Sequence, residues 1–309
     1  MKAILTFSGT LDFESKYTTI GDVMALYNVA TKLYQKGVSF VVAWHEGFLN
    51  FDKYRVNIKE VIPGDFTHLI YVCGPVANTA RKLCDMFPDS RRIAIGVSVL
   101  DHNSQDNIFH KMFVRDSKFV TNFDLALADI GYPHVSIDSR FRRSGLSMCT
   151  VGSQNEYRQS NQSLMFSRAF SHLLNSMNAK RKINVQTLIQ PRNPLPLASE
   201  GDLQSSSIII SNRMHGCLLG IYHRVPVIAF DQISGGAKVT RLVSKLGWPV
   251  FNFDQFDLKK FKLHLEECNK GWNSGWMERS RTLMIQLSRN SLEEAIDMII
   301  DDAISVSDF

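Results

Sequence analysis

Cysteine is scarce in this sequence: five residues in 309, at Cys73, Cys84, Cys149, Cys217 and Cys268. They are dispersed and odd in number, and no two form a Cys-x-x-Cys pair, so neither a disulfide framework nor a zinc spacing is written into the chain. Single buried thiols of a reducing compartment are the expectation. Long apolar runs are missing too; none reaches the ~18–20 residues that cross a bilayer. The apolar stretch from Lys2 to Phe7 is too short for a signal peptide and is soon followed by Asp12, Glu14 and Lys16, so it reads as a first β-strand. A dense basic stripe is absent as well. The formal charge is only +5, which argues against nucleic acid as a partner. That mild excess suits a small anionic substrate, or an acceptor held at an anionic membrane surface. The expected location is the cytoplasm, with peripheral contact at the inner face of the membrane.

What is present is ordinary globular material, 44% hydrophobic and 21% charged, in a chain long enough for two domains. Short β-branched runs alternate with longer helical patterns, the signature of parallel α/β architecture. Strands are expected at 2–7, 38–43, 68–72, 92–96 and 135–137. A helix is expected at 22–35, where Val23, Leu26, Val29, Ala30 and Leu33 share one stripe, with Lys36-Gly37 as its stop. A polar link at 141–145 suggests a boundary. Beyond it the alternation restarts. A helix is expected at 158–178, a strand at 183–189, and a proline-rich connection at 190–196 in which Pro191, Pro194 and Pro196 exclude helix. Buried strands at 206–211 and 225–230 precede helices at 215–222 and 238–246. Ser291 and Glu294 have the spacing of a capping box ahead of a last helix with Ala295, Met298 and Ile299. This order predicts two Rossmann-like domains facing across a cleft, 1–143 and 144–309. Ligands of such sheets sit at the C-terminal ends of the strands.

Four places carry chemistry. After the strand at 206–211 comes Asn212-Arg213-Met214-His215-Gly216, an Arg and a His at the start of a helix. Helix starts attract anions, guanidinium binds phosphate or carboxylate in a planar fork, and imidazole exchanges a proton near neutral pH. After the strand at 225–230 comes Asp231-Gln232-Ile233-Ser234-Gly235-Gly236-Ala237-Lys238. There a glycine pair gives backbone N–H groups access to an oxyanion and Lys238 adds a point charge, although the Walker pattern is not met. Gly21-Asp22 opens the first helix, where an Asp is as often only a cap. Arg115-Asp116 follows a short apolar strand, and Cys73-Gly74-Pro75 ends another with a turn. Trp248, Trp272 and Trp276 are expected to pack rather than stack on sugars. Of the other histidines, His102 and His110 lie in a loop region where they could touch the acceptor; His45, His68, His134, His172, His223 and His264 read as structural.

Read together, Gly21-Asp22, Arg115-Asp116, Arg213-Met214-His215 and Lys238-Val239 resemble the polysaccharide pyruvyl transferase family. The run from Asn212 to Asp231, with Gly220 and Val225-Pro226-Val227, carries most of the likeness. Departures are Thr18-Thr19-Ile20 before Gly21, Cys73-Gly74-Pro75 where a richer glycine turn is usual, and Ala237 in place of proline before Lys238. The resemblance implies a GT-B-like fold, with the first domain on the acceptor side and the second binding phosphoenolpyruvate. It implies Arg115, Arg213 and Lys238 as donor-binding groups around one small anion. His215 is implied as candidate general acid or base and Asp22 as the second catalytic candidate, while Gly21, Gly74, Gly235 and Gly236 are secondary candidates. The acceptor is then a sugar or glycan, free or lipid-linked, and neither metal nor organic cofactor is required. Two other readings of the same residues are a GT-B nucleotide-sugar glycosyltransferase and a non-catalytic sugar- or anion-binding protein.

Overall fold

The computed structural model describes residues 1–11, 19–44, 49–99, 108–116, 122–134, 143, 145–151, 160–162, 164, 185–189, 196–252, 254 and 256–307. By contacts the chain forms two compact units. The first comprises Met1–Pro133, Arg192–Pro194 and Ile285–Phe309; the second comprises His134–Pro191 and Leu195–Met284.

The first unit is built on a six-stranded sheet. Its strands are β1 (Lys2–Phe7), β2 (Ser39–Ala43), β3 (Arg55–Val56), β4 (His68–Pro75), β5 (Arg91–Ser98) and β6 (Lys111–Val114). They lie in the order β3-β2-β1-β4-β5-β6, every pair parallel. That is the order of a dinucleotide-type sheet, and it reverses between β1 and β4. Its central strands are apolar on both faces, as parallel sheets require: β1 is buried from Ala3 onward and β4 from His68 to Gly74. Helix α1 (Ile20–Gln35) joins β1 to β2 and begins at Thr19, whose hydroxyl accepts from the Asp22 N–H. Gly37, at φ 70°, lets the chain turn out of its end. Helix α2 (Asn78–Met86) joins β4 to β5.

The second unit has β7 (Leu146–Thr150), β8 (Val185–Ile189), β9 (Ile208–Ser211), β10 (Val227–Asp231) and β11 (Val250–Asn252). The order β11-β10-β9-β7-β8 is again all parallel. Here the order reverses between β7 and β9, the flavodoxin-type arrangement. Its helices are α3 (Pro196–Ser205), α4 (Met214–Tyr222), α5 (Lys238–Val243) and α6 (Leu258–Asn269). A last helix, α7 (Ser274–Ser307), gives its residues up to Met284 to the second unit and the rest to the first. No helix among the described residues is long and apolar enough to cross a membrane. The five cysteines are free and buried.

Several expectations change. Pro196 opens α3 instead of excluding it, because the first turn of a helix has no use for that N–H. The helix expected at 158–178 does not begin at its expected start: Asn161 bridges Ile233, and the Ser234 N–H binds the Ser160 carbonyl at 2.8 Å, whereas Leu164 is helical and residues 165–178 lie outside the described residues. Ser291 caps nothing. It lies inside α7, buried, and its hydroxyl accepts the Phe123 N–H at 2.7 Å. The residues from Ile285 on, read by position with the second half, join the first unit because Leu292, Ala295, Ile296 and Ile299 bury there. Asp302 anchors them, accepting from Arg91 at 2.7 and 2.8 Å and pairing with Lys111 at 3.1 Å. The chain passes between units at Pro133/His134, whereas the polar link lies at 141–145. The strand expected at 135–137 lies outside the described residues.

Candidate functional site

In sheets of this kind the order reversal opens a crevice at the C-terminal strand ends. Each unit has such an order reversal, and each reversal holds residues singled out by the motifs. In the first unit, β1 runs into Ser8 and β4 ends on Cys73 and Gly74. These two residues bend the strand end with φ of 61° and 86°. A Cβ on Gly74 would stand 3.0 Å from Ser8 Cβ, so only glycine lets the two strand ends lie this close. Asp22, 7% exposed, sits in the first turn of α1 directly after the buried Gly21. Its Oδ2 accepts from Thr19 Oγ1 at 3.0 Å and from Ser8 Oγ at 3.3 Å. Asp22 thus combines capping geometry with a place beside the crevice.

Arg115 follows β6 and is 3% exposed. Its Nη1 donates to Asp124 Oδ2 at 2.7 Å and also reaches Cys73 Sγ, while Nε donates to Ser98 Oγ at 3.3 Å. Burial opposes the guanidinium charge, but the Cys73 sulfur and the carboxylates of Asp124, Asp116 and Asp22 outweigh it and move the pKa up. The group, expected as a donor-binding residue, is thus a buried cation paired with Asp124. Burial also pushes the Cys73 thiol well up, so it stands beside Arg115 as a neutral group.

In the second unit, β9 ends in Ser211-Asn212-Arg213. Ser211 Oγ accepts the Arg213 N–H at 3.0 Å and donates to the Arg213 carbonyl at 2.9 Å, which fixes the turn into α4. Arg213 is the first residue of that turn and makes no side-chain cap, so the backbone N–H groups opening α4 meet no cap from its side chain. His215, 8% exposed, lies one residue inside the helix. Gly216 comes next, and a Cβ there would meet Ser211 Oγ at 2.5 Å and Cys149 Sγ at 2.7 Å. Glycine alone allows the helix start to seat against β7 and β9, which holds Arg213 and His215 at the reversal.

Two organising residues escape motif reading. Asn212 is buried and stitches three strand ends together. Its Oδ1 accepts the Val151 N–H at 2.7 Å, and its Nδ2 donates to the Val151 carbonyl at 3.2 Å and to Gln232 Oε1 at 2.6 Å. Asp231 ends β10 and receives four donors: the N–H groups of Ile233 at 3.0 Å, Ala237 at 2.7 Å and Thr240 at 2.9 Å, and Thr240 Oγ1 at 2.9 Å. The glycine loop consequently works differently from the expectation. Gly235 and Gly236 supply positive φ of 77° and 80°, but their N–H groups bind Asp254 Oδ2 and the Ile233 carbonyl. The anion at the start of α5 is the chain's own Asp231, and Lys238 is the half-buried first residue of that six-residue helix.

Within the first unit the fold thus groups Gly21, Asp22 and Gly74, with Arg115 joined to them through Cys73. Within the second it groups Arg213 with His215, and links them through Asn212 and Gln232 to the loop carrying Gly235, Gly236 and Lys238. The tryptophans pack on one another, Trp248 stacking on Trp272 and Trp276 at 5.2 and 4.7 Å. His110 is exposed and accepts the Arg92 N–H at 2.9 Å; His102 lies outside the described residues.

Two parallel-stranded units, each with an order reversal, define an α/β protein with two Rossmann-like domains, a fold of the GT-B kind. The family model for polysaccharide pyruvyl transferases matches residues 20–234, more than half of the chain. The chain belongs to the polysaccharide pyruvyl transferase family and is a transferase. No curated protein sequence matches it. Among solved structures it is similar to S. aureus MnaA with UDP, at TM-score 0.52 and 11% identity over 96% of this chain and 95% of that one. It is similar to the spinosyn forosaminyltransferase SpnP at TM-score 0.47 and 11% identity, covering 99% of both chains. For the calicheamicin glycosyltransferase CalG4 the TM-score is 0.43 and the identity 13%, over 97% of each chain. At such identities the likeness to MnaA speaks for the fold alone.

Proposed function

We propose that this transferase moves the pyruvyl group of phosphoenolpyruvate onto two hydroxyls of a sugar or glycan, forming a pyruvyl ketal during polysaccharide synthesis. The observation that carries the reading is Arg213 and His215 together at a helix start with no side-chain cap, beside the order reversal of the second sheet. Phosphoenolpyruvate brings a carboxylate and a phosphate, and guanidinium, ammonium and backbone N–H groups are the partners such anions need. In this reading Arg213 and Lys238 bind the donor. Arg115, compensated by Asp124, supports the first unit's crevice from behind as a positioning residue.

The chemistry asks for three events. A proton is added to the methylene carbon of the enol, an acceptor hydroxyl bonds to the neighbouring carbon, and the carbon–oxygen bond to phosphate breaks as a second hydroxyl closes the ketal. The two hydroxyl protons balance the reaction, one ending on the new methyl group and one on the released phosphate. His215 delivers or removes the proton at the donor, a role worth ~10²–10⁴ in rate. Asp22, already an acceptor of two hydroxyl hydrogen bonds, receives a proton from an acceptor hydroxyl. Neither a metal nor an organic cofactor enters these steps. The charge of +5 supports an acceptor presented at an anionic membrane surface, lipid-linked and on the cytoplasmic side.

The test is mass spectrometry of sugar and lipid-linked sugar acceptors incubated with the protein and phosphoenolpyruvate. The expected product carries one added pyruvyl ketal, with one phosphate released per product. Transfer of a glycosyl group from a nucleotide sugar, with no ketal from phosphoenolpyruvate, would overturn the proposal.

A further inference from the structure

Apart from these residues, the second unit gathers His134, Glu200 and His223 from three separate elements: the segment ahead of β7, the middle of α3, and the residue closing α4. Glu200 is fully buried, and one of its oxygens, Oε1, lies 2.6 Å from His134 Nδ1 and 2.6 Å from His223 Nε2. All three donor atoms lie within 4.8 Å of one another. Outer contacts hold both rings in place. Tyr222 lies 4.3 Å from the His134 ring, tilted by 30° to it, and Arg281 covers Tyr222. Arg143 binds the His223 and Arg224 carbonyls. Such support around ligand rings is what fixes their orientation at metal centres. The Gln204 amide nitrogen stands 3.4 Å from His223 Nε2. If that ring nitrogen carries a proton toward Glu200, the Gln204 amide faces it donor to donor. With the amide turned over, a further oxygen comes to the same point.

We propose that His134, Glu200 and His223 form a binding site for a divalent cation of the zinc class, with the Gln204 oxygen or water completing it. Two imidazoles and one carboxylate suit zinc or a neighbouring transition metal better than calcium or magnesium, which prefer oxygen ligands throughout. Zinc-to-ligand distances of roughly 2.0–2.2 Å put tetrahedral ligand atoms about 3.4 Å apart, so the three groups need only a small outward shift. A bound cation would fasten His134, the first residue of the second unit, to α3 and α4.

The experiment uses the untagged full chain, stripped with chelator and titrated with zinc or cobalt chloride. The expected result is one equivalent bound, a rise in melting temperature with metal, a cobalt absorption band of tetrahedral type, and a zinc X-ray absorption shell of nitrogen and oxygen that includes two imidazoles. Glu200→Gln and His223→Ala should weaken binding at least ~100-fold, whereas His110→Ala should leave it unchanged. Absence of stoichiometric binding by the folded wild-type chain, sulfur in the shell, or unaltered binding by Glu200→Gln overturns the proposal. Should Glu200→Gln not fold, His134→Ala and the absorption shell of the wild type decide in its place. Pyruvyl transfer plays no part in this readout, so either proposal can fail without the other.

Discussion

The two order reversals use similar letters in different ways. In the first unit an Arg-Asp pair after β6 turns inward, and Arg115 is spent on Asp124 in a site 3% exposed. In the second an Arg-x-His after β9 straddles a helix start, with Arg213 half-buried and the backbone of the turn fixed by Ser211, Asn212 and Gly216. Under the proposed function, the buried Arg115–Asp124 pair shapes the first unit's strand ends, while the residues at the helix start of the second meet the donor.

The largest effect should come from the second unit. His215→Ala should lower the rate of acceptor-dependent phosphate release from phosphoenolpyruvate by ~10²–10⁴ while leaving the circular dichroism spectrum intact. Near-wild-type turnover would remove the contrast at its active end. Next, Arg115→Ala should cost about 3–5 kcal/mol in urea unfolding, because it leaves Asp124 buried without its partner. If stability holds and only donor affinity falls, Arg115 is an open clamp after all and the two regions work alike. The smallest effect concerns the first unit's anchor. Hydrogen bonding from Arg91 lowers the Asp302 pKa to about 2 from an ordinary 3.8. A depressed folded-state pKa means that the stabilisation is complete above pH 3.8 and disappears as pH falls toward 2. Its size is about 2 kcal/mol. Unfolding free energies measured across that window should show the slope in the wild type and lack it in Asp302→Asn.

Most strands were legible because parallel strands buried on both faces appear as unbroken apolar runs, as at Ile208-Ile209-Ile210 and Leu69-Ile70-Tyr71. The residues meant to carry chemistry stood out for a related reason: in such folds they follow strands directly. The misreadings share a cause. Ser291 with Glu294 matches a cap, and Pro196 matches a breaker, only while the neighbouring turns are unknown. Local spelling cannot tell the interior of a 34-residue helix from its start. Asn212 stayed hidden because its partners follow other strands, and Asp231 because a carboxylate that closes its own loop has no fixed spelling. His134 and Glu200 are 66 positions apart, and Glu200 and His223 are 23 apart, so no spacing rule joins them.

Helix α7 bears on how the protein is made. The first unit needs its last residues: without the segment from Ile285, Arg91 and Lys111 lack their carboxylate and the Phe123 N–H lacks its acceptor. During synthesis every residue of the second unit has been added before that segment appears. Domains generally fold as units while the chain emerges. Of the two units, the one begun earlier on the ribosome is therefore completed later, and its sheet waits for α7 while the whole second unit emerges.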